Sequence, residues 1–233
     1  MSSATITTSA RLMNSTPQTE EQAMVRKVAV SSFLGNFIEW FDYASYSYFA
    51  TTIALVFFPT DNHTVAMLQT FGVFALSFIL RPIGALFWGS YGDKKGRKAA
   101  LAHSIMFMSG ASFLIGCLPS YSVIGVGAPI LLLLLRMVQG FSASGEYAGA
   151  ATFLGEYAPT SKRGIYCSLI PASTAIGLLA GSTLATLMTA NMNSSAMVGW
   201  GWRVPFLLSA ILVIVGLVVR VHMEETPIFR MAQ

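Results

Sequence analysis

Gly89-Ser90-Tyr91-Gly92-Asp93-Lys94-Lys95-Gly96-Arg97-Lys98 is the stretch on which the fold turns. Its ten residues hold three glycines, one acid and four bases, and long apolar segments flank it on both sides. A basic turn this short cannot lie in hydrocarbon. It marks a membrane–water boundary, and loops rich in Lys and Arg belong on the cytoplasmic side. The rest of the chain agrees: 54% of its 233 residues are hydrophobic and 10% are charged. Soluble domains are roughly 25% charged, so a soluble chain of this composition would expose large greasy patches.

Working outward from that turn, the sequence divides into six apolar spans, at about 28–58, 65–88, 99–118, 128–157, 165–190 and 204–221. Each is close to or beyond the ~20 residues that cross a bilayer as a helix. The expected fold is an all-α membrane protein, a six-helix transmembrane bundle over residues 28–222. Residues 1–27 read as a polar, flexible cytoplasmic tail, and 223–233 as the start of a cytoplasmic loop at which the chain is cut short.

The basic residues orient the bundle. Arg11, Arg26, Lys27, Lys94, Lys95, Arg97, Lys98, Lys162, Arg163, Arg220 and Arg230 fall on one side, and Arg203 alone on the other. The asymmetry predicts a multi-pass protein with both termini in the cytoplasm, in a bacterial inner membrane. Trp200 and Trp202 then lie at the outer interface, Trp88 and Tyr91 at the inner one. Cys117 and Cys167 end up on opposite sides and are expected as free thiols. His63, His103 and His222 have no ligand spacing, and no nucleophile triad or phosphate-binding glycine loop is present. No metal, cofactor, enzymatic activity or nucleic-acid partner is expected.

Charges inside the spans are the candidate functional residues. Glu39 lies roughly 16 Å into the first span at ~1.5 Å per residue, and Asp42, Tyr43 and Tyr46 follow on a similar face. An ionised side chain at the bilayer centre costs ~2.5–3.5 kcal/mol on insertion scales. Two such acids must therefore pair with cations or take up protons. Arg81, at similar depth in the second span, is the natural counterion. Glu146 reaches mid-depth in the fourth span and could face the same cavity. Arg136 sits nearer the outside, as a grip for a solute carboxylate or as a helix-to-helix brace. Gly145/Gly149 and Gly177/Gly181 form G-x-x-x-G pairs that let helices approach closely.

These residues stand in strings with a family likeness. Gly35-Asn36-Phe37-Ile38-Glu39-Trp40-Phe41-Asp42-Tyr43, Arg81-Pro82-Ile83-Gly84, Arg136-Met137-Val138-Gln139-Gly140-Phe141-Ser142, Gly145-Glu146-Tyr147 and Trp200-Gly201-Trp202-Arg203-Val204-Pro205-Phe206 occur in order, with the basic turn between the second and third. Residues 31–230 resemble the N-terminal half of a metabolite:proton symporter of the major facilitator superfamily, and the overall likeness is to its proline/betaine type. The resemblance implies a twelve-helix parent of which this chain supplies six, with a C-terminal six-helix half as partner. It implies symport of a small carboxylate-bearing solute with protons, an osmolyte such as proline or betaine. A dicarboxylate, citrate or shikimate symporter is the alternative, as is a non-transporting membrane fragment. Glu39, Asp42, Tyr43, Arg81, Arg136 and Glu146 become candidates for coupling or solute contact. Gly89, Asp93, Gly96, Arg97, Glu156 and Arg163 become candidates for an inner-surface latch that opens as the halves rock.

Overall fold

The computed structural model describes residues 17–221. Helix α1 (Pro17–Tyr48) bends at Phe49 into α2 (Ala50–Phe57), and together they make the first expected span. The second is α3 (His63–Ile79) and α4 (Arg81–Lys95), hinged at Leu80 just ahead of Pro82, which has no N–H to continue the ladder. Helix α5 (Arg97–Cys117) is the third, and a single turn, α6 (Tyr121–Ile124), leads to the fourth, α7 (Gly127–Tyr157). The fifth joins α8 (Arg163–Cys167) to α9 (Leu169–Asn191). Helix α10 (Ser194–Gly199) and a 3-10 turn (Gly201–Arg203) precede the sixth, α11 (Val204–Val221). Asn62 and Asn193 cap α3 and α10 by accepting from backbone N–H groups of the first turn.

Two expectations change on inspection. Helix α1 already runs from Pro17, so residues 17–27 extend the first helix where a flexible tail over 1–27 was expected. Residues 1–16 and the 223–233 loop lie outside the described residues. The basic turn also proves to be two helix ends. Helix α4 continues through Lys95, α5 starts at Arg97, and Gly96 alone reverses the chain at φ 98°. A side chain in that left-handed backbone would be strained, which is why glycine stands there.

Among the described residues, His63–Lys95, Arg97–Cys117, Gly127–Glu156 and Arg163–Asn191 are long and apolar enough to cross a membrane. The first and the sixth expected spans are not among them. In the first, Glu39 and Asp42, with neighbouring serines and tyrosines, dilute the hydropathy. Those polar groups are tolerated because this stretch of α1 is enclosed: from Ile38 to Tyr46 only Trp40 escapes burial.

Packing explains the enclosure. Helix α1 lies along α9 and touches α7 and α11, while α7 is flanked by α3, α4 and α5. The α1–α9 contact is made by Gly177 and Gly181. A Cβ on Gly177 would meet the Phe37 carbonyl oxygen at 2.6 Å, and one on Gly181 would meet the Ala44 Cβ at 2.6 Å. Apolar clusters close the two ends. Ile53, Phe57, Ile115, Leu132, Trp202 and Phe206 gather at one, and Val28, Leu101, Ala150, Leu154 and Ile170 at the other. The chain therefore passes up and down with alternate connections at alternate ends. Both cysteines are free thiols.

Candidate functional site

Glu39 and Asp42 point to different partners because three residues along a helix turn the side chain by ~300°. Asp42 faces inward. Its Oδ2 accepts from Arg136 at 3.0 Å and from Gln139 Nε2 at 3.1 Å. Its Oδ1 accepts from Ser112 Oγ at 3.1 Å and stands 3.4 Å from Ser209 Oγ. Gln139 Nε2 also donates to Ser112 Oγ at 2.6 Å. The Arg136 guanidinium lies over the Tyr46 ring, 3.9 Å from its centroid, with Phe206 at 5.3 Å. Tyr46 in turn donates to the Thr70 carbonyl at 2.9 Å. Asp42, Arg136, Gln139, Ser112 and Ser209 are all buried. The network ties α1 to α5, α7 and α11 with every member out of reach of solvent.

Glu39 faces a cavity. Its Oε1 takes Arg81 at 2.6 Å, and Arg81 keeps 25% of its side chain exposed. The Arg81 guanidinium lies over the rings of Phe78, at 4.7 Å, and Tyr43, at 5.0 Å. The cavity measures about 560 Å³ and is lined by Glu39, Trp40, Phe78, Arg81, Ser144 and Tyr147, among others. Several buried polar atoms here have no hydrogen-bond partner: Glu39 Oε2, Trp40 Nε1, Tyr43 OH and Arg81 Nε. Buried donors and acceptors are almost always satisfied, and the exceptions call for an explanation. Three of them, on Glu39, Trp40 and Arg81, belong to residues that line the cavity and form a set that a polar solute or water can complete, while Arg136 Nε and Nη2 and Gln139 Oε1 are likewise without a partner in the Asp42 network.

The candidates therefore separate. Arg81 is the counterion of Glu39, as its depth predicts, but Asp42 takes Arg136 instead. Arg136 does not line the cavity, because Asp42 and the Tyr46 ring hold it fully enclosed. Tyr46 is removed from any solute by the same contact. Tyr43 is buried beside Arg81. Glu146 is buried apart from the cavity lining, 3.5 Å from Ser104 Oγ. Gln139, Ser112 and Ser209 belong to the Asp42 network with no role foreseen for them. Gln139 was findable, since it lies three residues after Arg136 on the same face of α7. The serines were not, because isolated serines are common in packed spans.

At the basic end, Arg97 bridges Asp93 at 2.7 Å across one helical turn's spacing. Gly92, buried, packs against the Arg97 side chain, and Gly89 has open space around its Cα. Arg163 is exposed, while Glu156 has a buried Oε2 without a hydrogen-bond partner. Of the expected set, the structure thus joins Asp93 to Arg97.

Residues 27–233 match the family described as "Sugar (and other) transporter". The chain is 42% identical over 210 residues to the glycine betaine/proline/ectoine/pipecolic acid transporter OusA of Dickeya dadantii, covering 90% of this chain and 42% of that protein. It is 41% identical to the proline/betaine transporter of Escherichia coli K12 over the same 90% and 42%. The chain spans less than half the length of these curated relatives. Among solved structures, it superposes on the proton:xylose symporter XylE bound to 6-bromo-6-deoxy-D-glucose with a TM-score of 0.81 at 17% identity, over 91% of this chain and 47% of that one. The partially occluded, inward-open form of XylE from E. coli gives 0.80 at 17% identity, over 90% and 52%. That likeness identifies the fold: a six-helix, N-terminal half of the major facilitator superfamily architecture.

Proposed function

We propose a solute-transport function for this chain, which belongs to the sugar (and other) transporter family. It is one half of a secondary transporter that carries a small carboxylate-bearing solute together with protons, an osmolyte such as proline or betaine. One observation carries the reading: α1 bears two mid-span acids, each answered by an arginine of another helix, one pair at an open cavity and one sealed. The names of the 41–42% identical relatives support the osmolyte class.

The chemistry follows from the two pairs. Arg81 is the cation that a solute carboxylate would meet in the cavity. While Glu39 is ionised it competes for that guanidinium. A proton on Glu39 removes the competitor, so solute and proton load together. Trp40 and Phe78, which line the cavity, offer aromatic rings, which suit a quaternary ammonium. The Asp42–Arg136 pair plays a different part. It locks α1 to three other helices, and neutralising Asp42 would loosen the helix that carries the cavity acid. Coupling by either acid requires the bundle to rock against a second wall, so a C-terminal six-helix half is the expected partner. Both termini face the cytoplasm of a bacterial inner membrane, on the basic-residue asymmetry. The Asp93–Arg97 pair, with Glu156 and Arg163, forms the latch on that side.

The test is uptake by the chain joined to a C-terminal half in vesicles. An inward proton gradient should drive accumulation of proline or betaine, and Glu39→Gln should abolish the dependence on the gradient. Dicarboxylate uptake without proline or betaine uptake would defeat the osmolyte assignment. Gradient-driven uptake unchanged in both Glu39→Gln and Asp42→Asn would make the acids structural.

A further inference from the structure

The cavity beside Glu39 and Arg81 holds a donor that the pairing of charges does not account for. Trp40 lines it, and its Nε1 is buried without a hydrogen-bond partner among the described residues. An indole N–H can only donate, so it needs an acceptor. Its neighbours do not supply one. Glu39 stands one position earlier on α1, and successive helix positions do not face each other. Ser144, also in the lining, is turned to the Phe141 carbonyl at 2.7 Å. The indole is nevertheless held in place. Its ring meets that of Tyr43 at 5.9 Å and 72°, and its Cβ lies 3.1 Å from where a Cβ on Gly177 of α9 would stand. The same Tyr43 ring lies under the Arg81 guanidinium at 5.0 Å, so Trp40 and Arg81 are set around one aromatic spacer. Glu39 takes Arg81 Nη2 and leaves Nε, which is buried and likewise unpartnered.

We infer that Trp40 is a specificity-determining residue of this cavity, its indole N–H and the Arg81 Nε–H together holding the carboxylate of the solute. This rests on the transport function proposed above and deepens it. A carboxylate brings two oxygens and can accept from two donors at once, and a bond to a charged acceptor is stronger than a neutral one. An ammonium group offers an indole N–H nothing, since it has no lone pair to accept with. The N–H edge of Trp40 therefore reads the acid end of the solute, and its ring face is left for the ammonium end. The acid end is thus recognised by α1 and α4, the helices that carry Trp40 and Arg81.

The experiment is uptake of proline and of betaine by the chain joined to a C-terminal half, with Trp40 replaced by benzothienylalanine. That side chain keeps the bicyclic shape and puts sulfur where the N–H was, so a lost donor is separated from lost packing. KM for both solutes should rise roughly tenfold or more, the loss of one hydrogen bond to a charged group, with the maximal rate unchanged. Trp40→Phe should raise KM at least as far. Choline, which has betaine's quaternary ammonium and no carboxylate, should inhibit proline uptake no less in the replacement than in the parent. A KM within about twofold of the parent's overturns the inference and leaves the transport function standing, as does an equal weakening of choline. Absence of proline and betaine uptake in the parent overturns the transport function and the inference with it.

Discussion

The Asp42 carboxylate accepts from side chains on three other helices, whereas Glu39, three residues earlier, has one oxygen on Arg81 and the other on nothing. Both are acids in the same buried helix, and both have an arginine partner. The difference lies in access. Arg136 is wholly enclosed and Arg81 is a quarter exposed at a cavity. A sealed network holds helices together, since a partner lost there leaves a charge with no water to replace it. A pair at a cavity can exchange partners with whatever enters. On the proposed function, architecture and exchange are divided between two sites one helical turn apart.

The strongest challenge to this division is Arg136→Leu. It strands Asp42 in the core and should destabilise the chain by ~3–5 kcal/mol, read from thermal unfolding in detergent. Adding Asp42→Asn should recover part of that loss, because the two residues act as a unit. A loss below about 1 kcal/mol in the single variant would erase the contrast between sealed and open pairs.

Next in size is Gly181→Leu. Its side chain would have to enter the α1–α9 contact against Ala44, where overpacking costs ~1–3 kcal/mol. Since α1 carries both acids, the shift should disturb the Glu39 and Asp42 sites together. Unchanged unfolding would mean that the helices are held apart from one another at that point.

Arg81→Gln should cost ~1 kcal/mol or less in stability, because cavity water can meet Glu39 in its place. Solute binding by the assembled two-half transporter should nevertheless be lost. A stability loss as large as that of Arg136→Leu would show that the Glu39 pair is also architectural.

The smallest effect belongs to the basic end. Asp93, 67% exposed, pairs with Arg97 on the surface, so Asp93→Asn should change stability by ~0–1 kcal/mol. Transport should still fall further with Asp93→Asn than with Lys94→Gln at matched expression. Equal losses would assign the role to loop charge alone.

Much of this was legible in advance, for specific reasons. Hydropathy and the basic turn delimit helices because a bilayer demands length and excludes charge, and both are written in order along the chain. The spans around Arg97–Cys117 and Gly127–Glu156 follow from that alone. The pairing of Glu39 with Arg81 followed from depth, since each residue's distance from a boundary is a count of residues. The short reach of the basic turn did not follow, because helix propensity carried α4 to Lys95 and only Gly96 breaks the backbone.

Sequence alone therefore settled what each segment must do in a membrane: span it, bound it, or bear a charge that needs an answer. Depth is a one-dimensional quantity and can be counted. Which helix supplies the answer is an angular matter, set by the crossing of α1 over α7, α9 and α11. Packing turned Asp42 towards Arg136, Gln139, Ser112 and Ser209, and turned Glu39 towards Arg81 at the cavity. No periodicity along one helix encodes those meetings, because each depends on the azimuth of two helices at once.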